Sequence, residues 1–219
     1  MTNQNSRRKL LRWAALSAAG ILLPGQLLRA EDLLPTPPIT EGPFYPRELP
    51  LDDDNDLTQV KGRNGLAKGV ILDLAGRVLD PQGRPVRNAQ VEIWQCNAFG
   101  RYHHPDDHSS APIDANFQGF GKTVTDAEGR YRFRTIKPVP YPGRTPHIHF
   151  KLAGRDFGSL TTQMFVAGEP LNERDFLYRA IRDERVRKAM AVQLVPSDPA
   201  AGASLRGTFD IVLGMVKAG

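Results

Sequence analysis

The stretch Lys122 to Ile136, "KTVTDAEGRYRFRTI", decides the fold class. Two strand-like runs, KTVT and RYRFRTI, are separated by Asp126-Ala127-Glu128-Gly129. A short polar link ending in glycine between such runs predicts a β-hairpin. The same grammar repeats outward. Upstream, GVILDLAGRVL (69–79) leads into the turn residues DPQGRP, and VRNAQVEIWQ (86–95) carries Val91 and Ile93 on alternate positions. Downstream, HIHFKLAG, LTTQMFVAG, MAVQLVP and TFDIVLG follow. Only LNERDFLYRAIRDERVRKAM (171–190) repeats apolar residues at helical spacing, through Phe176, Leu177, Ala180 and Ile181, with Asn172 able to cap it. About seven short strands and one helix predict an all-β protein. The expected form is a β-sandwich of mostly antiparallel strands with an N-terminal arm and one short helix in the C-terminal half.

The 219 residues suit one domain. Residues 1–30 read as an export signal. Arg7, Arg8, Lys9 and Arg12 begin or precede an apolar run from Trp13 to Leu23 that is short for a bilayer span. Ser6-Arg7-Arg8 followed by Lys9-Leu10-Leu11 resembles a twin-arginine signal. Cleavage is expected after Ala30, although Leu28 is larger than such sites prefer. The mature chain would be periplasmic or extracellular, with no membrane span once the signal is gone. Residues 31–68, rich in Pro, Asp and Gly, hold neither period and read as an arm; residues 69–219 form the sandwich domain. The formal charge of +5 comes from the signal, which holds five Lys or Arg and no acid, so 24 basic and 24 acidic residues remain. That balance removes the case for a nucleic-acid partner. Cys96, the single cysteine, cannot form an internal disulfide and reads as a small buried residue.

His147 and His149 carry the chemistry. In a strand, alternate side chains share a face, so the two imidazoles project together while Ile148 and Phe150 face the other way. Paired neutral imidazoles suit Zn, Cu, Fe or Ni. Tyr141 stands between Pro140 and Pro142, which hold the backbone extended or turned, and Tyr102 ends WQCNAFGRY. A phenol titrates near pH 10 and ionises at neutral pH only beside a strong positive charge, which a trivalent iron supplies. Two phenolates, two imidazoles and a hydroxide leave Fe(III) with no net charge.

These residues sit in stretches that resemble the intradiol ring-cleavage dioxygenases, in particular the protocatechuate 3,4-dioxygenase beta-chain type. The shared runs are TEGPFY (40–45), GRVLDPQGRPV, VEIWQCNAFGRYHH, DANFQGFGKTVTDAEGRYRFRTIKPVPYP, RTPHIHFKL and TTQMFVAGEP, in the family's order. The resemblance implies one non-haem Fe(III) per chain held by Tyr102, Tyr141, His147 and His149. It implies that a catechol-type substrate displaces Tyr141 as it binds, with O2 inserted between the two hydroxylated carbons to give a muconate-type diacid. Arg144 would stabilise charge on the ring, and Gln163 would orient the substrate. The resemblance also implies an oligomer, of this chain alone or with a related chain. Asp106, Asp107 and His108 are expected to be solvated. One departure is the short PGRTP link between Tyr141 and His147, with Gly143 where the family carries bulk, which implies an opened pocket wall and an altered substrate range.

Two other classes fit parts of the sequence: an exported non-catalytic β-sandwich module binding aromatics or carbohydrate, and a copper or zinc protein using the H-x-H pair. No H-E-x-x-H, G-x-S-x-G or phosphate-loop pattern is present.

Overall fold

The structure is a computed structural model that describes residues 33–50, 52–198, 200 and 202–214. The export-signal reading of residues 1–30 lies outside them. Among the described residues ten strands form two five-stranded sheets. In the first sheet, β1 (Ile71–Leu79) is central. It pairs antiparallel with β4 (Arg130–Ile136) from Ile71↔Ile136 to Arg77↔Arg130. It also pairs in parallel with β9 (Leu205–Thr208) and then β10 (Ile211–Val212), and β8 (Val195–Pro196) closes the edge beside β9. The second sheet runs β3 (Phe120–Val124), β2 (Gln90–Trp94), β5 (His147–Gly154), β6 (Gly158–Val166), β7 (Ala191–Val192).

The inner faces supply the core: Leu72, Leu74, Tyr131 and Phe133 from the first sheet meet Val91, Ile93, Ile148, Phe150 and Met164 from the second. Alternation along each strand makes this possible, because every second side chain reaches the same face. Phe150 bridges the layers, 5.9 Å from Tyr131 and 5.2 Å from Phe209 between ring centroids.

The DAEG link does not make the expected hairpin. β3 belongs to the second sheet and β4 to the first, so residues 125–129 carry the chain across the sandwich. The turn itself is as the sequence suggests. Asp126 Oδ1 accepts the N–H groups of Glu128 and Arg130, and Gly129 takes φ 70°. The strands part because Thr125 pairs elsewhere: its N–H donates to the Ala89 carbonyl, and its hydroxyl donates to Val86 and accepts from Ala89 N–H. The expected helix is likewise divided, into a 3-10 turn (Pro170–Arg174), α1 (Phe176–Ala180) and α2 (Glu184–Met190). Asp175 and Asp183 cap the two α-helices, each accepting backbone N–H groups with its side chain, and so break the run into pieces. Asn172 is no cap: it is buried, donating to the Val166 carbonyl and accepting from the Thr145 hydroxyl.

Candidate metal centre

The histidines stand on the outer face of β5, opposite the core side chains Ile148 and Phe150. Both are buried, and their Nε2 atoms lie 3.2 Å apart. His147 Nδ1 lies 2.6 Å from the Thr145 carbonyl, an arrangement in which Nδ1–H donates and Nε2 keeps a free lone pair. His149 stacks on Trp94, its cross-strand partner on β2, at 4.6 Å and 11°. Gln163, paired with His149 across to β6, puts its Nε2 3.3 Å from His149 Nδ1. Burial, with Arg144 adding to it, pushes the His147 pKa down to about 4. Burial, then His147 and Arg144, push His149 well below the usual imidazole range. Both rings are therefore neutral near pH 7 and available as donors.

Tyr102 arrives on the loop after β2. Asn97 Oδ1 accepts the N–H groups of Phe99 and Arg101, and Gly100 takes φ 79° to close the loop. Asp107 Oδ2 accepts Tyr102 N–H at 2.7 Å. Asp107 is thus a buried framing group rather than a solvated one, whereas His108 is exposed and Asp106 pairs with Arg47 at the surface. The Tyr102 hydroxyl is buried and makes no hydrogen bond of normal geometry. Burial, then the neighbouring Tyr141 and Cys96, push its pKa well above the ordinary phenol value, against a smaller pull from Arg144.

Tyr141 starts a tight turn through Pro142 and Gly143 to Arg144, closed by Arg144 N–H donating to the Tyr141 carbonyl at 2.9 Å, with Gly143 at φ 83°. Proline followed by a left-handed glycine is the residue order of a type II turn. The Tyr141 ring lies 5.5 Å from both Tyr102 and His147. Burial raises its pKa, and the Arg144 guanidinium, 3.5 Å from its hydroxyl, offsets part of the rise. Arg144 is no surface residue: Nε donates to Asp175 Oδ2 at 2.8 Å and Nη2 to Gln163 Oε1 at 2.6 Å. All six residues singled out in the sequence (Tyr102, Tyr141, Arg144, His147, His149 and Gln163) therefore meet in one cluster.

Two contributors, Asp175 and Trp94, escaped sequence reasoning, and for a third, Phe44, the sequence leaves open whether it reaches this site or a neighbouring subunit's. Asp175, fully buried, holds Arg144 with one carboxylate oxygen and caps α1 with the other; an aspartate directly before a helical run is the signal that could have found it. Trp94 supplies the surface under His149. Phe44 of the arm stacks on Tyr102 at 4.6 Å and lies edge-on to Tyr141 at 6.3 Å, while the Thr40 carbonyl accepts from Gln163 Nε2. The arm therefore closes the cluster of its own chain, and Tyr45 beside it donates to Glu92. Cys96 is buried with its thiol pushed up by burial, consistent with a packing role.

The donor set fits a trivalent metal. No group of three or more His, Cys, Asp or Glu placed to hold a metal occurs among the described residues; the side-chain oxygens beside the two imidazoles are the phenols of Tyr102 and Tyr141. The unpartnered Tyr102 hydroxyl beside two neutral imidazoles is an arrangement that a hard, highly charged cation completes.

The sequence profile of the family described as Dioxygenase matches residues 40–215. Fold and profile together define an oxygen-incorporating oxidoreductase. The chain is 46% identical to the protocatechuate 3,4-dioxygenase beta chain of Burkholderia cepacia over 168 residues, 73% of this chain and 71% of that one. It is 34% identical to catechol 1,2-dioxygenase 2 of Acinetobacter lwoffii over 179 residues, 70% of this chain and 62% of the relative. Among solved structures it resembles the dioxygenase domain of a dioxygenase–carbohydrate-binding fusion from Streptomyces sp. SirexAA-E, with TM-score 0.63 and 30% identity over 83% of this chain and 99% of that domain. The chain belongs to the intradiol ring-cleavage dioxygenases. No helix among the described residues is long and apolar enough to cross a membrane.

Proposed function

We propose that this chain is an exported non-haem Fe(III) enzyme, one iron per chain, which uses O2 to open a catechol-type ring between its hydroxylated carbons, giving a muconate-type diacid. The observation that carries the reading is the convergence of His147 Nε2 and His149 Nε2, 3.2 Å apart, beside the buried and unpartnered Tyr102 hydroxyl. Tyr102, Tyr141, His147 and His149 hold the iron. Bound Fe(III) supplies Lewis acidity that draws electron density from the catecholate and opens the ring to O2.

The chain's own residues divide the remaining work. Tyr141, less buried than Tyr102 and carried on a two-residue turn, would hold the metal as a phenolate, and when it steps aside for substrate its Oη takes up one of the substrate's protons and becomes a neutral phenol. Arg144 is pre-oriented by Asp175 and Gln163, so its charge opposes negative charge on the ring without reorganisation during reaction. Gln163 links Arg144 to the His149 side of the pocket and orients the substrate between them. Phe44 and Trp94 exclude water from the phenol and imidazole they cover. The paired arginines at 7 and 8 support export, with residues 1–30 removed, 31–68 as an arm and 69–219 as the catalytic sandwich. The active form is an oligomer of this chain, alone or with a related one.

The test is iron loading followed by oxygen-electrode assays on catechol, protocatechuate, hydroxyquinol and gallate. A visible tyrosinate-to-iron band, O2 uptake and a ring-opened diacid are expected. A colourless protein holding zinc or copper after loading would overturn the iron assignment; a coloured protein that consumes no O2 would make it a binding module.

A further inference from the structure

Asn172 joins two segments rather than capping a helix. It lies buried in the 3-10 turn Pro170–Arg174 and uses both ends of its amide. Nδ2 donates to the Val166 carbonyl at 2.8 Å, and Oδ1 accepts the Thr145 hydroxyl at 2.8 Å. Thr145 is itself buried, and each of its polar groups is engaged. Its N–H donates to Asp175 Oδ2 at 3.0 Å, its hydroxyl to Asn172, and its carbonyl lies 2.6 Å from His147 Nδ1. The sheet does not hold that carbonyl: β5 begins at His147, and Pro146 between them has no N–H. Proline also confines the residue before it to extended backbone. With N–H and hydroxyl both tied to the run from Val166 to Asp175, the Thr145 carbonyl is aimed by these anchors at the His147 ring. A carbonyl only accepts, so it selects the neutral tautomer with the proton on Nδ1 and the lone pair on Nε2.

From these contacts we propose that Thr145 and Asn172 are positioning residues for the metal ligand His147. Asn172 fixes the Thr145 hydroxyl, the anchored Thr145 fixes its own carbonyl, and the carbonyl keeps His147 in the one tautomer and ring orientation that leave Nε2 free to bind. The assignment rests on the reading of His147 as an iron ligand and deepens it. It also joins the two halves of the site. The Asp175 oxygen that accepts Thr145 N–H accepts Arg144 Nε–H as well, so the run from Val166 to Asp175 sets both the ligand and the arginine. Groups that hold a ligating histidine from behind are worth roughly 10–100-fold in metal affinity. The Thr145 hydroxyl acts one step further out, through the carbonyl, so the lower end of that range, about tenfold, is expected.

The test uses the whole chain with isotope-labelled histidine and two readouts: the His147 tautomer in the metal-free protein, from proton–nitrogen NMR at neutral pH, and iron affinity, from competition with a chelator. Wild type should show His147 as a single Nδ1–H tautomer. Thr145→Val keeps the size, the N–H and the carbonyl of the residue and removes only the hydroxyl. It should lower iron affinity about tenfold and let the second His147 tautomer appear. Thr145→Ser restores the hydroxyl and should return both readouts to within about twofold of wild type. Asn172→Ala should lower affinity at least as far as Thr145→Val, and combining the two should lower it no further, since both act through one hydrogen bond to the same carbonyl. Should Thr145→Val not fold, Thr145→Ala, which also lacks the hydroxyl, is read in its place. A wild-type His147 protonated on Nε2 overturns the assignment. So does a Thr145→Val variant that loses unfolding temperature while keeping one tautomer and wild-type affinity. If wild type takes up no iron, the ligand reading fails instead, and the tautomer of wild type against Thr145→Val still decides the positioning.

Discussion

Asp175 is the joint that holds Arg144 in the candidate site, and its replacement gives the sharpest test of the geometry. The side chain is fully buried and accepts four hydrogen bonds: from Arg144 Nε at 2.8 Å and Thr145 N–H at 3.0 Å on one oxygen, and from the Leu177 and Tyr178 N–H groups at 2.9 and 3.0 Å on the other. Asp175→Asn can keep the helix cap with its carbonyl oxygen, but its NH2 then faces two donors. The loss is that of one partner of a buried ion pair, about 3–5 kcal/mol. At about 2–4 °C per kcal/mol for a chain of this size, the unfolding temperature should fall by roughly 6–20 °C. The carboxylate also adds a pH dependence. Burial raises its pKa, but the hydrogen bonds from Tyr178, Thr145 and Arg144 outweigh that and hold it below the ordinary carboxylate value. A depressed folded-state pKa gives stability that is fully present above the unfolded value, near 4, and is lost as pH falls through the folded value. Asp175→Asn should remove that part of the acid-side slope. Thermal unfolding of wild type, Asp175→Asn, Arg144→Met and the double variant, each at pH 7 and at pH 3 to 4, measures both effects. The two single changes should be non-additive by more than about 1.5 kcal/mol, since removing both partners leaves no buried unpaired charge. Additivity within about 0.5 kcal/mol, or a fall under 2 °C in Asp175→Asn, would refute the joint.

Other substitutions probe separate parts of the account. Tyr102→Phe keeps the stack on Phe44 but deletes a buried hydroxyl without a partner, so the metal-free protein should be no less stable than wild type, and up to about 1 kcal/mol more so; iron retention and the visible band should nevertheless collapse, as equilibrium dialysis and absorption will show. Gly76→Ala places a carbon on the Phe209 carbonyl and 2.7 Å from the Tyr131 hydroxyl, and should cost about 3 kcal/mol or more in urea unfolding. The Cys96 thiol, buried and pushed up in pKa, should react with a disulfide reagent at a small fraction of the rate seen in denaturant.

The strands and the pairing of the two histidines on one face were legible because each rests on a short-range rule. Alternation along HIHFKLAG put His147 and His149 on one face and Ile148 and Phe150 on the other, as the structure has them. Pro140 and Pro142 read as holding the backbone at Tyr141 extended or turned, and a turn follows it, closed by Arg144 N–H donating to the Tyr141 carbonyl. What escaped depended on partners distant in sequence. The turn at Asp126 to Gly129 is written locally, yet whether its flanking strands pair is decided by Thr125 binding Val86 and Ala89, some 36 residues away. The helix from 171 to 190 has the right apolar spacing, but Asp175 is claimed by Arg144 and Thr145, 31 and 30 residues earlier, and caps a new helix where the pattern would continue an old one. Asp107 read as solvated for a different reason: its partners, Tyr102 N–H and Ser109 N–H, are close in sequence, but only the folded loop brings its carboxylate between them.

That division explains how this fold can place chemistry on the outside of a sheet. The core lies between the sheets, while the cluster stands on the outer face of β5 and gains its burial from the arm, through Phe44, and from the loops bearing Tyr102 and Tyr141. The two loops are held by polar turn chemistry (Asn97 and Asp107 for Tyr102, Gly143 for Tyr141, Asp175 for Arg144) and by a small cluster around Trp94, Cys96, Tyr102 and Phe120 that is separate from the main core. The sandwich can therefore keep its stability while the loops around the site diverge, which is the physical condition for one scaffold to serve many ring substituents. Gly143, exposed at the tip of the turn that carries Tyr141, lies in a loop of this kind. A change there would act on the turn that holds Tyr141 while leaving β5, which carries His147 and His149, anchored in the sheet between β2 and β6.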